Sequence, residues 1–121
     1  MPGSGGEFPK RGDIWLVELD PTRGDEMRKT RPVVVISSDA FSGLDLKVCV
    51  PVTGWKDEFD RYDWFAKLVP GKINNLTKTS AANGLQVRCL STERFQSRTG
   101  RVSKEELEDI LASVAIVLEM L

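Results

Sequence analysis

Apolar residues in this chain come in short bursts. Residues 14–19, 33–36, 48–52 and 64–69 are rich in valine, isoleucine or aromatic side chains, residues 84–90 carry Leu85, Val87, Cys89 and Leu90 in a fifth apolar run, and each run is flanked by proline, glycine or polar residues. Runs of that length and make-up read as strands. Helical spacing appears only in the last twenty or so residues. This pattern constrains the chain to a mainly β fold of five or six short strands with one C-terminal helix. A small, partly open barrel closed by a helix suits it.

Within that frame, Trp15, Val17 and Leu19 alternate onto one strand face. Val33–Val34–Val35–Ile36 is a continuous β-branched run, expected to be a central strand buried on both faces. Pro51 marks an edge or a bulge. Residues 72–80 are polar, with Asn74–Asn75 as a turn signal, and a polar turn is expected after residue 90, leading into residues 98–101. The helix start is explicit. Ser103 and Glu106 form a capping box, and Val102 and Leu107 have the spacing of a hydrophobic staple. Leu107, Ile110, Leu111, Val114, Val117, Leu118 and Leu121 make the apolar stripe. Acidic residues crowd the first turns, where the helix dipole favours them.

The 121 residues suffice for one domain with a modest core. Residues 1–9 are Gly/Ser-rich and read as a flexible arm resembling a cloning scar, so a single domain is expected over 10–121. No run approaches the roughly 20 apolar residues that cross a bilayer, and a cytosolic location is expected. Cys49 and Cys89 lie in apolar segments and are expected to be buried thiols rather than a disulfide or a metal pair. The chain has no histidine. That excludes a histidine-pair ribonuclease and a serine–histidine triad, and leaves arginine, threonine, lysine and carboxylates for any catalysis. Net charge is −1, but residues 101–121 hold two basic and five acidic side chains, so the first 100 carry a net +2. The basic residues gather at 23–31 and again at Arg88, Arg94, Arg98 and Arg101. Local patches rather than overall charge decide where a polyanion docks.

The densest chemistry lies between the first two strands. The loop places Arg23, Arg28, Lys29 and Arg31 around Asp25 and Glu26, and ends at Arg31–Pro32. The proline holds Arg31 extended, so its guanidinium projects from a stiff point as a planar fork matched to phosphate. The bland alternative is an ion pair with Glu26 or Asp25. Thr53, between Val52 and Gly54, either presents its hydroxyl to a ligand or caps a turn. Glu26 either orients Arg31, accepts a proton, or is simply solvated.

Gly12, Trp15, Asp20, Pro21, Gly24, Glu26, Arg31, Pro32 and Ser37 together closely resemble the opening of the MazF/PemK toxins, small ribonucleases of bacterial toxin–antitoxin pairs. Pro51-x-Thr53 and Gln86-x-Arg88 resemble later stretches of the family. The resemblance implies that Arg31 and Thr53 stand at the family's catalytic positions, with Glu26 in its Gly-x-Glu motif. Leu85 departs from the pattern, replacing an aspartate that some PemK-type members use. Asn83 and Asp25 stand where their arginine and histidine would be. This favours the Arg–Thr set.

Trp55, Phe59, Tyr62 and Trp64 interleave with Lys56 and Arg61, a pattern that stacks unpaired bases or fills a core. Trp64, opening a strand, is expected in the core. Trp55 and Phe59 are the loop candidates. RNA contacts are therefore expected from Arg23, Arg28, Lys29, Trp55, Lys56, Phe59, Gln86 and Arg88, with Gln86 equally able to hold the sheet.

The resemblance implies an SH3-like barrel, a homodimer and cleavage of single-stranded mRNA without metal or cofactor. It further implies attack by the RNA's own 2′-hydroxyl and masking by a cognate antitoxin. Two other classes share the fold prediction: a CcdB-type toxin that binds gyrase, and a non-catalytic barrel that binds RNA or protein.

Overall fold

The computed structural model describes residues 8–20, 23–26, 29–41 and 43–120. The chain forms β1 (Asp13–Glu18), β2 (Thr30–Val35), β3 (Leu46–Gly54), β4 (Phe65–Leu68), β5 (Ser80–Asn83), β6 (Arg88–Ser91), β7 (Phe95–Arg101) and one helix, α1 (Lys104–Val117). The sheet order is β4-β5-β3-β2-β1-β7, and every pairing is antiparallel. β6 pairs with the first half of β3 and β5 with its second half. β6 and β7 follow one another through the turn Thr92–Arg94, and no ladder between them is seen among the described residues. The curved sheet is therefore a partly open, SH3-like barrel. Among the described residues no helix is long and apolar enough to cross a membrane.

Strand alternation divides the core in two. Ile14, Val34, Val50, Val52, Ala66, Leu68 and Ala82 face one way and pack with Val102, Ile110 and Val114 at the helix. Trp15, Val17, Leu19, Val33, Val35, Cys49, Leu90 and Phe95 face the other way, inside the barrel. β2 feeds both clusters, which is why its valines are continuous rather than alternating. The Trp15 indole donates to Asp13 Oδ2 at 3.3 Å, and Asp13 Oδ1 lies 3.3 Å from Arg98 Nε, so this buried carboxylate is paired. α1 begins with the expected capping box: Ser103 Oγ accepts from the Glu106 amide at 3.1 Å, and Glu106 Oε1 accepts from the Ser103 amide at 2.8 Å.

Several expectations are corrected. Residues 84–90 are not one strand. Gly84–Gln86 is a 3-10 turn, and the strand β5 lies just before it in Ser80-Ala81-Ala82-Asn83. β5 is wholly buried, so small side chains suit it, although they carry little strand propensity. The polar segment Phe95–Arg101 is also a strand, because the edge of β1 supplies its ladder. Pro51 lies inside β3, which runs on to Gly54. Cys49 is buried but Cys89 is exposed, on the opposite face of its ladder. Burial pushes the Cys49 thiol up to about 12, with Cys89 adding to the shift and Lys47 and Arg88 opposing it. Trp64 precedes β4 and stacks on Tyr62 instead of entering the core. Leu118 is exposed beyond the end of α1, and Ser113 takes a buried place on the helix. Leu121 lies outside the described residues.

Candidate active site

β2 and β3 pair through Val33↔Pro51, Val34↔Val50 and Val35↔Cys49. Continued by two residues, that register sets Arg31 opposite Thr53. Both residues belong to their strands, but the ladder stops before them. Pro32 and Pro51 have no N–H to donate, and the β2–β3 ladder ends where the candidate pair begins. Arg31 is opposite Val17 on β1, and Thr53 is opposite Ala81 on β5, which in turn is opposite Lys67 on β4. Lys67, Ala81, Thr53, Arg31 and Val17 thus form one row across five strands. They share one face by strand alternation: Ala66, Ala82 and Val52 beside them belong to the cluster under α1, and Val33 and Val35, of the same parity as Arg31, belong with Val17 to the other cluster. Arg31 and Thr53 are half-buried.

The described residues of the β1–β2 loop are pinned at several points. Leu19 donates to the Lys29 carbonyl at 2.9 Å, closing the neck. Arg94 Nη1 donates to the carbonyls of Glu18 and Asp20 at 3.0 and 2.9 Å. Gln86 Nε2 donates to the Asp25 carbonyl at 3.3 Å, tying the loop tip to the turn after β5. Within the tip, Glu26 Oε1 accepts from the Arg23 amide, and the Glu26 amide donates to the Arg23 carbonyl at 3.2 Å. Lys29 adopts a left-handed conformation, with φ of 65°. Arg23 and Lys29 are exposed, and Arg28 lies outside the described residues.

On the far side of Thr53 lies a connected set of rings. Trp55 meets Phe59 edge to face at 5.8 Å, and Phe59 stacks on Phe65 at 3.9 Å. Lys67 Nζ sits 4.9 Å from the Trp55 ring centre. Phe65 and Lys67 alternate on β4 toward the Thr53 face, and neither was singled out from sequence; the i, i+2 spacing was the available signal. Lys56 is exposed at the head of the turn Asp57–Arg61.

The structure does not gather every expected residue into the row. Arg88 lies opposite Cys49, four positions along β3 from Thr53, or roughly 13 Å at about 3.3 Å per residue. Arg94 donates to the loop carbonyls and Arg98 pairs with Asp13. A separate cavity of about 850 Å³ opens near the start of β3, lined by Phe8, Pro9, Leu44, Lys47 and Thr92 among others, and includes none of these candidate residues.

This arrangement brings an arginine, a threonine hydroxyl on a strand and aromatic rings onto neighbouring strands and turns. It suits a phosphodiester flanked by unpaired bases.

Comparison with known proteins agrees with the fold. Residues 10–118 match the family model described as "PemK-like, MazF-like toxin of type II toxin-antitoxin system". Endoribonuclease MazF9 of Mycobacterium tuberculosis is 32% identical over 117 residues, covering 92% of this chain and 97% of its own. Endoribonuclease PemK of Escherichia coli is 34% identical over 111 residues, covering 90% and 81%. The crystal structure of MazF (Form-I) from Deinococcus radiodurans superposes with a TM-score of 0.79 at 21% identity, covering 94% of this chain and 99% of that one. A mycobacterial endoribonuclease in complex with its cognate antitoxin superposes with a TM-score of 0.71 at 18% identity, covering 93% and 97%. The gyrase-binding and non-catalytic readings gain nothing from these relatives.

Proposed function

Because the chain belongs to the PemK-like, MazF-like toxin family of type II toxin–antitoxin systems, we propose that it is an endoribonuclease toxin cutting single-stranded RNA and neutralised by a cognate antitoxin. The observation that carries this reading is the β2–β3 register, which, continued two residues past the end of its ladder, brings Arg31 and Thr53 to facing positions. Both residues stand on strands, whose backbones are in place before substrate arrives, and such preorganisation favours charge stabilisation.

In the proposed reaction the RNA's 2′-hydroxyl attacks the adjacent phosphorus and the bond to the 5′-oxygen breaks. One product ends in a 2′,3′-cyclic phosphate and the other in a 5′-hydroxyl. The proton lost by the 2′-oxygen balances the one gained by the departing 5′-oxygen. Arg31 neutralises the charge that grows on the non-bridging oxygens, and Thr53 donates to the phosphate. Intramolecular attack needs orientation and charge stabilisation more than an activated water, so it suits a chain without histidine. Glu26 acts from the loop that leads into Arg31. Arg23, Arg28, Lys29, Lys56 and Arg88 supply cationic contacts, with Trp55 and Phe59 as ring surfaces. Gln86 acts through its hold on the Asp25 carbonyl. We also propose that the protein works as a homodimer in the bacterial cytoplasm, which sizing in solution and cell fractionation check.

The decisive experiment is cleavage of a long RNA in EDTA by the parent and by Arg31→Ala. Loss of a charge-stabilising donor costs about 100- to 1000-fold in rate. Near-parent cleavage by a folded Arg31→Ala refutes the assignment. Arg31→Lys, a point charge without the fork, stays well below the parent. Glu26→Gln keeps an oxygen for the Arg23 amide but takes no proton. A slowed glutamine variant assigns proton acceptance, and an unchanged one assigns loop shaping only. A 2′-deoxy sugar 5′ of the cut site must stop the reaction.

A further inference from the structure

We propose that Lys67 is a substrate-binding cation that holds the RNA phosphate neighbouring the one being cut, with Trp55 as the platform that aims it. The inference rests on the ribonuclease reading above.

Three observations carry it. First, Lys67 is in the same cross-sheet row as Thr53, separated only by Ala81. Neighbouring strands lie about 4.8 Å apart, which puts the Lys67 and Thr53 Cα atoms roughly 10 Å apart. The row position between them is Ala81, whose side chain is a single methyl group. Second, β4 alternation leaves Lys67 no other face. Ala66 and Leu68 are buried beneath α1, while Lys67 is exposed on the Thr53 side. Third, its ammonium is held in place yet not neutralised. It sits 4.9 Å over the Trp55 ring, and among the described residues no carboxylate pairs with it. Trp55 is braced in turn by Phe59, which stacks on Phe65. A cation positioned in advance by a braced ring loses less rotamer freedom on meeting an anion than a free surface lysine does. The nearest anionic group of a substrate whose scissile phosphate rests on Arg31 and Thr53 is the next phosphate of the same strand.

The alternative is that Lys67 serves only to pack Trp55. A cycle between protein and substrate separates the two. The substrate is a short RNA with a single mapped cut site, used unmodified and in two versions, each with a neutral methylphosphonate at one phosphate flanking the scissile one. The protein is used as parent, Lys67→Ala and Lys67→Met, the last keeping the aliphatic stem over Trp55. On unmodified RNA, both variants raise KM about tenfold with kcat near the parent value. The salt dependence of binding to a 2′-deoxy, uncleavable version loses about 0.7 in log–log slope, the share of one phosphate contact on a single strand. Lys67→Arg restores most of the affinity. On one of the two methylphosphonate substrates, parent and Lys67→Met become equal. If Lys67→Met stays tenfold weaker than the parent on both modified substrates, or matches the parent on unmodified RNA, the phosphate assignment is overturned while the ribonuclease reading stands. If the parent leaves all unmodified RNA intact, both readings fall together.

Discussion

Gly84 offers the sharpest test of how the site is held. It heads the turn that carries Gln86, and its amide donates to the Trp64 carbonyl at 2.7 Å. A Cβ at this position would lie 2.5 Å from Ser113 Oγ, 3.0 Å from the Ser113 carbonyl carbon and 3.1 Å from the Trp64 oxygen. Ser113 Oγ can turn aside only by giving up its 2.6 Å bond to the Ile110 carbonyl. The other two atoms are backbone, so α1 or the turn must shift. Overpacking of this kind costs about 1–3 kcal/mol. The stiffer unfolded chain returns about 0.4–1 kcal/mol, since Gly84 is not left-handed. Gly84→Ala is therefore expected to destabilise by about 1–2 kcal/mol net. Urea unfolding followed by circular dichroism would show the midpoint falling by roughly 0.5–1 M at an m-value of about 2 kcal/mol/M. Ser113→Ala removes the closest obstacle, so it should cost clearly less in the Gly84→Ala background than in the parent. A Gly84→Ala protein as stable as the parent, or Ser113→Ala costs that simply add, would refute the close approach of turn and helix.

Other outcomes follow from the paired and buried groups. The Cys49 thiol, pushed up to about 12 from 9.0, keeps its proton in the folded state when the unfolded chain loses it. Its contribution to stability is complete below pH 9 and is lost between pH 9 and 12, at up to about 1.4 kcal/mol per pH unit. Unfolding curves of Cys49→Ala should show a shallower alkaline slope than the parent; an identical slope would sink this. Iodoacetamide at neutral pH should label exposed Cys89 and spare Cys49 until the protein unfolds, as mass spectrometry would show. Arg94→Ala removes both side-chain bonds to the Glu18 and Asp20 carbonyls. It should cost about 1 kcal/mol and speed hydrogen exchange at the Leu19 amide that closes the loop neck; unchanged exchange there would show that the loop is held elsewhere.

Much of this protein is written locally. The Ser103–Glu106 box starts α1 because both partners lie within one turn of chain, and the structure shows both bonds. Val33, Val34 and Val35 specify a strand buried on two faces by their own shape, and each is buried. The stretch from Gly12 to Ser37 carries the family resemblance without any knowledge of the fold, and the absence of histidine narrows the chemistry by composition alone. What tertiary structure decided is of another kind. Ser80-Ala81-Ala82-Asn83 has no strand signal of its own and becomes a strand because β3 and β4 offer ladders on both of its edges. Cys89 is exposed and Cys49 buried because adjacent ladder positions fall on opposite faces, a parity set by register rather than by residue type. Trp64 leaves the core because β4 begins one residue later, at Phe65. The row running from Lys67 through Ala81 and Thr53 to Arg31 joins segments far apart in the chain. Sequence names its members, but a shift of one residue in any pairing would turn one of them to the helix side. Only the packing of valines and alanines on that other face selects the register, and with it the side on which these four residues stand together.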